Sequence, residues 1–175
     1  MHLTKITSDN LTEAVKVARE IFPYEIHKDG FWPEVAYKMA IEEQKPNFAY
    51  YLASDSGMVV GITGHYPPED GKPEIWLGWY GVRPVCRRKG YGSQILNATA
   101  AIIAQWCDVL NLYSGDREEE RPAHRLYLRH GFEQTGRGEV DGAPVLYFRG
   151  AIPLKVNAEM ENGELSGGAK PRSLK

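Results

Sequence analysis

The sequence predicts a mixed α/β domain, and three observations carry that prediction. Helix-period and strand-period apolar patterns alternate along the chain, a strand–helix–strand run spans residues 74 to 114, and pairs of short apolar segments meet around Ser56-Gly57 and Asp141-Gly142. A length of 175 residues suits one domain, large enough to bury roughly 70% of the unfolded chain's surface. The 21 basic and 23 acidic residues leave a net charge of −2, which argues against broad nucleic-acid binding. No apolar run reaches the ~18 residues of a membrane span, and residues 1 to 5 lack a signal-peptide pattern. Cys86 and Cys107 make neither a disulfide framework nor a metal site, so no metal is expected. These features predict a cytoplasmic domain over residues 1–155, followed by a flexible tail over 156–175 that lacks any apolar period.

Each element has its own signal. Leu3 to Ile6 reads as a short strand. Asn10 and Glu13 have capping-box spacing, and Leu11, Ala14, Val15 and Ala18 then recur at helical intervals until Pro23 stops the helix. A second helix opens at Pro33, a favoured first-turn position, and runs towards Pro46. Between them lies an aromatic-rich loop from Phe22 to Trp32. Asn47–Ala53 and Met58–Tyr66 form a hairpin, and Glu74–Val82, apolar on both faces, reads as one central strand. A helix follows over residues 93–107, then a strand over 109–114. A short helix over 122–130 ends at Gly131, and 132–135 with 144–148 close the domain as an antiparallel pair.

The chemistry concentrates where the central strand runs into a helix through Val82-Arg83-Pro84-Val85-Cys86-Arg87-Arg88-Lys89-Gly90-Tyr91-Gly92-Ser93. The first amides of a helix lack internal partners, and the macrodipole places about half a positive charge there. Gly90 and Gly92 let an anion approach the backbone, and four basic residues between Arg83 and Lys89 stand without an acid among them. The expected ligand carries phosphates. A dinucleotide fingerprint would need glycine at Ile95, and the Walker Gly-Lys-Ser/Thr pattern is absent. Read by itself, the loop also suits a plain basic turn.

Arg87-x-x-Gly90-x-Gly92, preceded by Gly81-Val82-x-Pro84, resembles the phosphate loop of the GNAT superfamily of acetyl-CoA-dependent N-acetyltransferases. Ala123-x-x-Leu126-Tyr127-x-x-x-Gly131-Phe132 resembles that family's later motif, and the likeness covers roughly residues 58 to 148. The resemblance implies a central mixed sheet flanked by helices, with two parallel strands that splay apart to admit the pantetheine arm. It further implies that Arg87, Arg88, Lys89, Gly90, Tyr91, Gly92 and Ser93 bind the cofactor's pyrophosphate, and that a backbone N–H near Gly81–Val82 steadies the oxyanion. Tyr127 takes the position of the general acid that protonates the departing thiolate. Helical spacing of Ala123, Leu126, Tyr127 and His130 equally allows Tyr127 to be core.

Two positions depart from the family pattern. Glu120 stands where many members carry asparagine and reads as part of a solvated charged loop. The middle of the central strand is Gly78, with Glu74 a strand-entry charge, so no general base is named. His124 and His130 read as helix-surface residues, and Cys86 as inert or modestly reactive. The resemblance places acceptor recognition in the loop between the first two helices, where Tyr24 and Glu25 are candidates and Trp76, Trp79 and Tyr80 could face them. The expected activity is direct transfer of an acetyl group from acetyl-CoA to a primary amine of a small molecule or amino acid, with no nucleic-acid or membrane partner and a homodimer left open. A protein or peptide N-acetyltransferase and a non-catalytic acyl-CoA-binding module are the alternatives.

Overall fold

The sheet is laid out by where each strand finds an apolar face to share. The computed structural model describes residues 1–27, 30–68, 72 and 74–154, so the expected tail over 156–175 lies outside the described residues. The strands are β1 (His2–Lys5), β2 (Ile26–His27), β3 (Gly30–Phe31), β4 (Ala49–Asp55), β5 (Met58–Tyr66), β6 (Ile75–Leu77), β7 (Gly81–Val82), β8 (Val109–Gly115), β9 (Glu133–Val140) and β10 (Ala143–Ala151). The helices are α1 (Leu11–Ile21), α2 (Trp32–Glu43), α3 (Tyr91–Ile103) and α4 (Arg121–Arg129). The main sheet runs β1-β4-β5-β6-β8-β10-β9, with β7 also on β5, and β2–β3 make a separate small hairpin. All pairings are antiparallel except β6 with β8. This is the mixed α/β architecture anticipated from the sequence.

Two cores lie on opposite faces. Ala14, Val17, Ala18 and Ile21 of α1 and Tyr37 and Ala40 of α2 pack on Tyr50, Leu52 and Ile62 of one face. Leu96 and Ile103 of α3 and Tyr127 of α4 pack on Ile75, Leu77, Leu110, Leu112, Leu146 and Phe148 of the other. The alternation of β8 between the faces follows from the pleat: Leu110, Leu112 and Ser114 are buried, and Tyr113 between them is exposed. Both hairpin turns place consecutive residues at positive φ, Ser56 and Gly57 at 49° and 81° and Asp141 and Gly142 at 50° and 77°. That is the twist-matched turn that closes a two-residue loop.

Three local expectations are corrected. The Asn10–Glu13 capping box does not form; Asn10 Oδ1 instead accepts from the Thr7 amide (2.8 Å) while its Nδ2 donates to the Lys5 carbonyl (3.0 Å), tying β1 to the start of α1. The helix expected over 93–107 spans Tyr91–Ile103. The single strand expected over 74–82 is broken. Gly78 donates to the Gly64 carbonyl (3.0 Å) and Gly81 registers with Ile62, so Trp79 and Tyr80 together oppose Thr63 alone. Two residues against one is a β-bulge, and Trp79 takes up the kink at φ 43°.

Leu112 is 1% exposed, pairs with Phe148 across β8–β10 and lies in the core beneath Tyr127. Leu112→Ala should cost about 2–5 kcal/mol of stability, read as a lower urea midpoint at unchanged slope.

Candidate active site

The bulge decides what happens to the parallel pair. β6 and β8 pair only at Ile75–Leu110 and Trp76–Asn111. Beyond Trp79 and Tyr80 the strand stays on β5 as β7, whereas β8 continues on β10 to Gly115. A gap therefore opens between β7 and β8 with no ladder across it. In an antiparallel ladder, hydrogen-bonded pairs alternate with open ones. Arg83 donates to the Val60 carbonyl (2.9 Å), which puts Gly81 in the next hydrogen-bonded pair with Ile62 and turns the Val82 N–H and C=O towards the gap. Of the two candidate oxyanion donors, Val82 carries the amide that is free of β5.

Tyr80 and Tyr127 pack against each other beside the start of α3. The Tyr80 hydroxyl donates to the Gly92 carbonyl in the first turn of α3 (2.9 Å), and its ring lies 6.1 Å from that of Tyr127. Tyr127 is 5% exposed and packs on Phe132 and Phe148 at 5.9 and 5.5 Å. Its hydroxyl makes no hydrogen bond among the described residues. It is also not one of the sealed polar atoms without a partner, which are Tyr37 Oη, His65 Nδ1 and His130 Nδ1. The ring is thus core, and the hydroxyl is not fully sealed. Burial, then the Glu120 charge, pushes the phenol well above its ordinary range, so it stays protonated.

The basic loop ends in an uncapped helix. Arg88 and Gly90 have positive φ, 61° and 80°, and Gly90 is the N-cap with no side-chain hydrogen bond. Among the described residues, no backbone acceptor meets the amides from Arg88 to Ser93; the first helical bond is Gln94 N–H to the Gly90 carbonyl (3.3 Å). A Cβ on Gly90 would meet only Gln94, at 3.9 Å, so the approach to these amides is open. Gly92 differs: a Cβ there would press on Leu126 (2.9 Å) and the Tyr80 hydroxyl (3.0 Å), so its bareness lets α3 pack close to both. Such a helix end can hold an anion.

Side chains of the loop divide by role. Arg88 and Lys89 are exposed, and Arg87 is exposed with Nε donating to the Val82 carbonyl (3.2 Å). Tyr91 and Ser93 turn to partners within the protein, Tyr91 Oη donating to Asp55 (3.1 Å) and Ser93 Oγ meeting His130 Nε2 (2.9 Å). Arg83 leaves the basic cluster altogether: its guanidinium donates to both oxygens of Glu20 (2.8 and 3.2 Å) and to the Val59 carbonyl (3.0 Å), clamping α1 to β7. Cys86 is buried, consistent with the inert reading. His130 is also buried, not on the helix surface, because the Gly131 turn folds it under α3; burial, then Arg129, lowers its pKa.

An aromatic cluster lies on the face of the sheet opposite Leu110 and Leu112. Trp76, Tyr113 and Tyr147 form a triangle of rings 6.2 to 6.4 Å apart on β6, β8 and β10. Trp79 faces the Phe22 ring at 5.4 Å, whereas Tyr80 points to the opposite core. Glu25 is half-buried, and its charge reaches Tyr113. Its carboxyl is raised above the ordinary value by burial first and by Glu120 second, against an opposing Arg117. Tyr24 is 87% exposed and is not brought to this wall.

Sequence reasoning misplaced one carboxylate. Glu120 is not a solvated loop charge: its Oε2 accepts from Ser114 Oγ and from the Gly115 amide (3.1 Å), at the end of β8. Ser114 also meets His124 Nε2 at 3.2 Å. The missed signal was the β8 alternation, which sends Ser114 to the buried face beside the start of α4. Glu74 is more than an entry charge, since Asn111 Nδ2 donates to it (3.3 Å). Among the described residues, no group of three or more His, Cys, Asp or Glu is placed to hold a metal ion, and no helix is long and apolar enough to cross a membrane.

The comparisons agree with this geometry. The model of the Acetyltransferase (GNAT) family matches residues 11–132. The chain therefore belongs to the GNAT acetyltransferase family and is an acyltransferase. Among solved structures it is similar to a GNAT-family acetyltransferase from Bacillus cereus, at 18% identity and TM-score 0.63 over 86% of this chain and 96% of that one. A ribosomal-protein-alanine N-acetyltransferase from Brucella melitensis aligns at 17% identity and TM-score 0.64 over 87% and 100% of the two chains. A spermidine N-acetyltransferase chimera from Vibrio cholerae aligns at 15% and 0.65 over 86% and 94%. At these identities the likeness is one of fold. Among curated proteins, none matches the chain.

Gly90→Val adds a branched side chain at φ 80° over the open amides. Acetyl-CoA should raise the melting temperature of the wild type by mass action and leave that of Gly90→Val unmoved. An equal shift in both would remove residues 88–93 from the binding site.

Proposed function

We propose that the protein transfers the acetyl group of acetyl-CoA directly to the primary amine of a small molecule or amino acid. One observation carries this reading: β7 and β8 part just before the uncapped start of α3, and Tyr80 joins that helix start to Tyr127, its hydroxyl on the Gly92 carbonyl and its ring 6.1 Å from the Tyr127 ring. An anion held on the amides of residues 88 to 93 would sit at one end of the gap, with Arg87, Arg88 and Lys89 beside it. The Val82 edge would pair with an extended arm lying in the gap, and its N–H would meet the oxyanion, an effect worth roughly 3–4 kcal/mol where enzymes depend on it. Acetyl-CoA supplies the activated acyl group. Tyr127 gives its proton to the leaving thiolate, a role that its raised pKa suits, because the phenol enters the reaction protonated.

The acceptor is read from the opposite face. Three partly exposed rings and one half-buried carboxylate suit an ammonium carried on a short organic chain. The names of similar structures include a ribosomal-protein-alanine and a spermidine N-acetyltransferase. A peptide amino terminus is therefore the second reading, and a panel with both kinds of amine separates them.

Tyr127→Phe should lower turnover by about 10²–10⁴-fold while acetyl-CoA affinity stays within a few-fold. Unchanged turnover, with chemistry limiting, would return Tyr127 to a packing role. Glu25→Gln should lower the acceptor's kcat/KM about ten- to a hundredfold, the worth of a charge-assisted hydrogen bond of about 1.5–3 kcal/mol. Because burial and Glu120 raise the Glu25 carboxyl, acidification protonates it sooner than an ordinary glutamate. The wild-type kcat/KM should therefore fall at a pH above the usual glutamate value, and Glu25→Gln should lack that step. A matching profile in the two proteins would move ammonium recognition elsewhere.

A further inference from the structure

The reaction lacks a named base, and the family motif holds a departure at Glu120. The two belong together. Glu120 ends the short turn before α4, and its Oε2 is held twice, by the Ser114 hydroxyl and the Gly115 amide. His124, one turn into α4, brings Nε2 to Ser114 Oγ at 3.2 Å while its ring packs on Phe148 at 5.4 Å. The direction of these bonds is set by their donors. Ser114 has one hydroxyl proton and gives it to Glu120, so its oxygen is left to accept from His124 in the Nε2–H form. The chain His124–Ser114–Glu120 therefore points its donors at one carboxylate oxygen. Oε1 has no hydrogen-bond or ion-pair partner among the described residues.

We propose that Glu120 is the general base of this acetyl transfer, taking the ammonium proton on Oε1, with Ser114 and His124 as positioning residues that keep Oε2 occupied and the carboxylate oriented. The inference rests on the acetyltransfer reading above. Ser114 ends the buried face of β8 at the edge of the gap, on the side of the sheet that carries Tyr127. The Glu120 charge acts on Tyr127 in α4 and on Glu25 across the mouth. The other charges near it are accounted for: Arg117 acts on Glu25, Arg121 pairs with Glu118 (2.9 Å), and Asp116 lies 3.9 Å from Arg137. Glu120 is half-buried, so a proton that it receives can leave to solvent.

The step balances. The ammonium gives one proton to Oε1 and becomes a neutral amine. The amine nitrogen bonds to the thioester carbon, the C–S bond breaks, and the thiolate takes the Tyr127 proton. The second proton that the nitrogen sheds on forming the amide restores Tyr127. Glu120 then releases its own proton to water.

Glu120→Gln keeps an oxygen for Ser114 and Gly115 and removes only the base. The experiment follows thiol release from acetyl-CoA across pH with phenethylamine, a linear diamine, free amino acids and a short peptide with a free amino terminus. Glu120→Gln should lose about 10²–10⁴-fold in kcat, with acceptor KM and the acetyl-CoA melting shift near wild type. Glu120→Asp, which retains the charge but shortens the reach, should fall between the two. Ser114→Ala removes a donor that orients the carboxylate, so kcat should fall with acceptor KM unchanged, and Ser114→Thr should restore it. Glu120→Gln with a kcat within a few-fold of wild type, where chemistry limits, overturns the role of Glu120 alone. An unchanged kcat in Ser114→Ala, or a loss that Ser114→Thr does not restore, overturns the positioning role. A wild type that consumes acetyl-CoA with none of these amines overturns the acetyltransfer reading and the base with it.

Discussion

One mismatch in strand count organises the whole site. Thr63 on β5 faces two residues, Trp79 and Tyr80, and the extra residue bends the strand away from its parallel neighbour. The bend sends Trp79 outward to Phe22 and Tyr80 inward to α3. It also leaves β7 on β5 while β8 goes on with β10, so the Val82 backbone edge has nothing to pair with across the gap. Trp79 holds a left-handed conformation to allow this, a geometry of order 1–3 kcal/mol in cost for a non-glycine residue. The cost is met by packing: Ile21 and Phe22 lie against Gly81, and Arg83 clamps Glu20 of α1. The amino-terminal helix, which carries none of the family's motifs, is what holds the gap open.

The start of α3 follows a related logic. A side-chain cap would have satisfied one of its free amides, but it would have occupied the space an anion needs. Gly90 takes the position at a penalty of only a few tenths of a kcal/mol relative to the favoured caps. The neighbouring polar side chains are removed to other partners, Tyr91 to Asp55 and Ser93 to His130. What remains towards solvent is backbone and three cations. The same economy operates on the acid side of the gap, where Glu120 is held by β8 and Glu25 stands opposite in the loop after α1.

Much of the fold was legible because its signals are local. The two hairpin turns, the stop at Pro23, the opening at Pro33 and the Gly131 turn each depend on backbone geometry that a few residues dictate. The same holds for the basic loop before α3, where glycine spacing and basic residues lie within one segment. Expectations failed where several partners compete for one group. Asn10 had a capping partner at Glu13 but is engaged by Thr7 and Lys5. The strand over 74–82 reads as continuous because apolar content cannot register a mismatch with β5. Arg83 reads as one of four cations, yet its charge is matched 63 positions away.

The sequence by itself determined the order of the main helices and strands, the strand–helix–strand unit and the basic glycine loop that runs into α3. These depend on periodicity and on residues close in the chain, whose geometry is set before the chain closes on itself. Only the tertiary structure decided that the central strand is bulged, that His130 is buried and that Glu120 turns inward to Ser114. An ionised side chain goes to water or to a partner according to which hydrogen bonds wait for it. For Glu120 those bonds come from the end of β8, whose position depends on β10 and on the break in its parallel pairing with β6. Neither is written near residue 120.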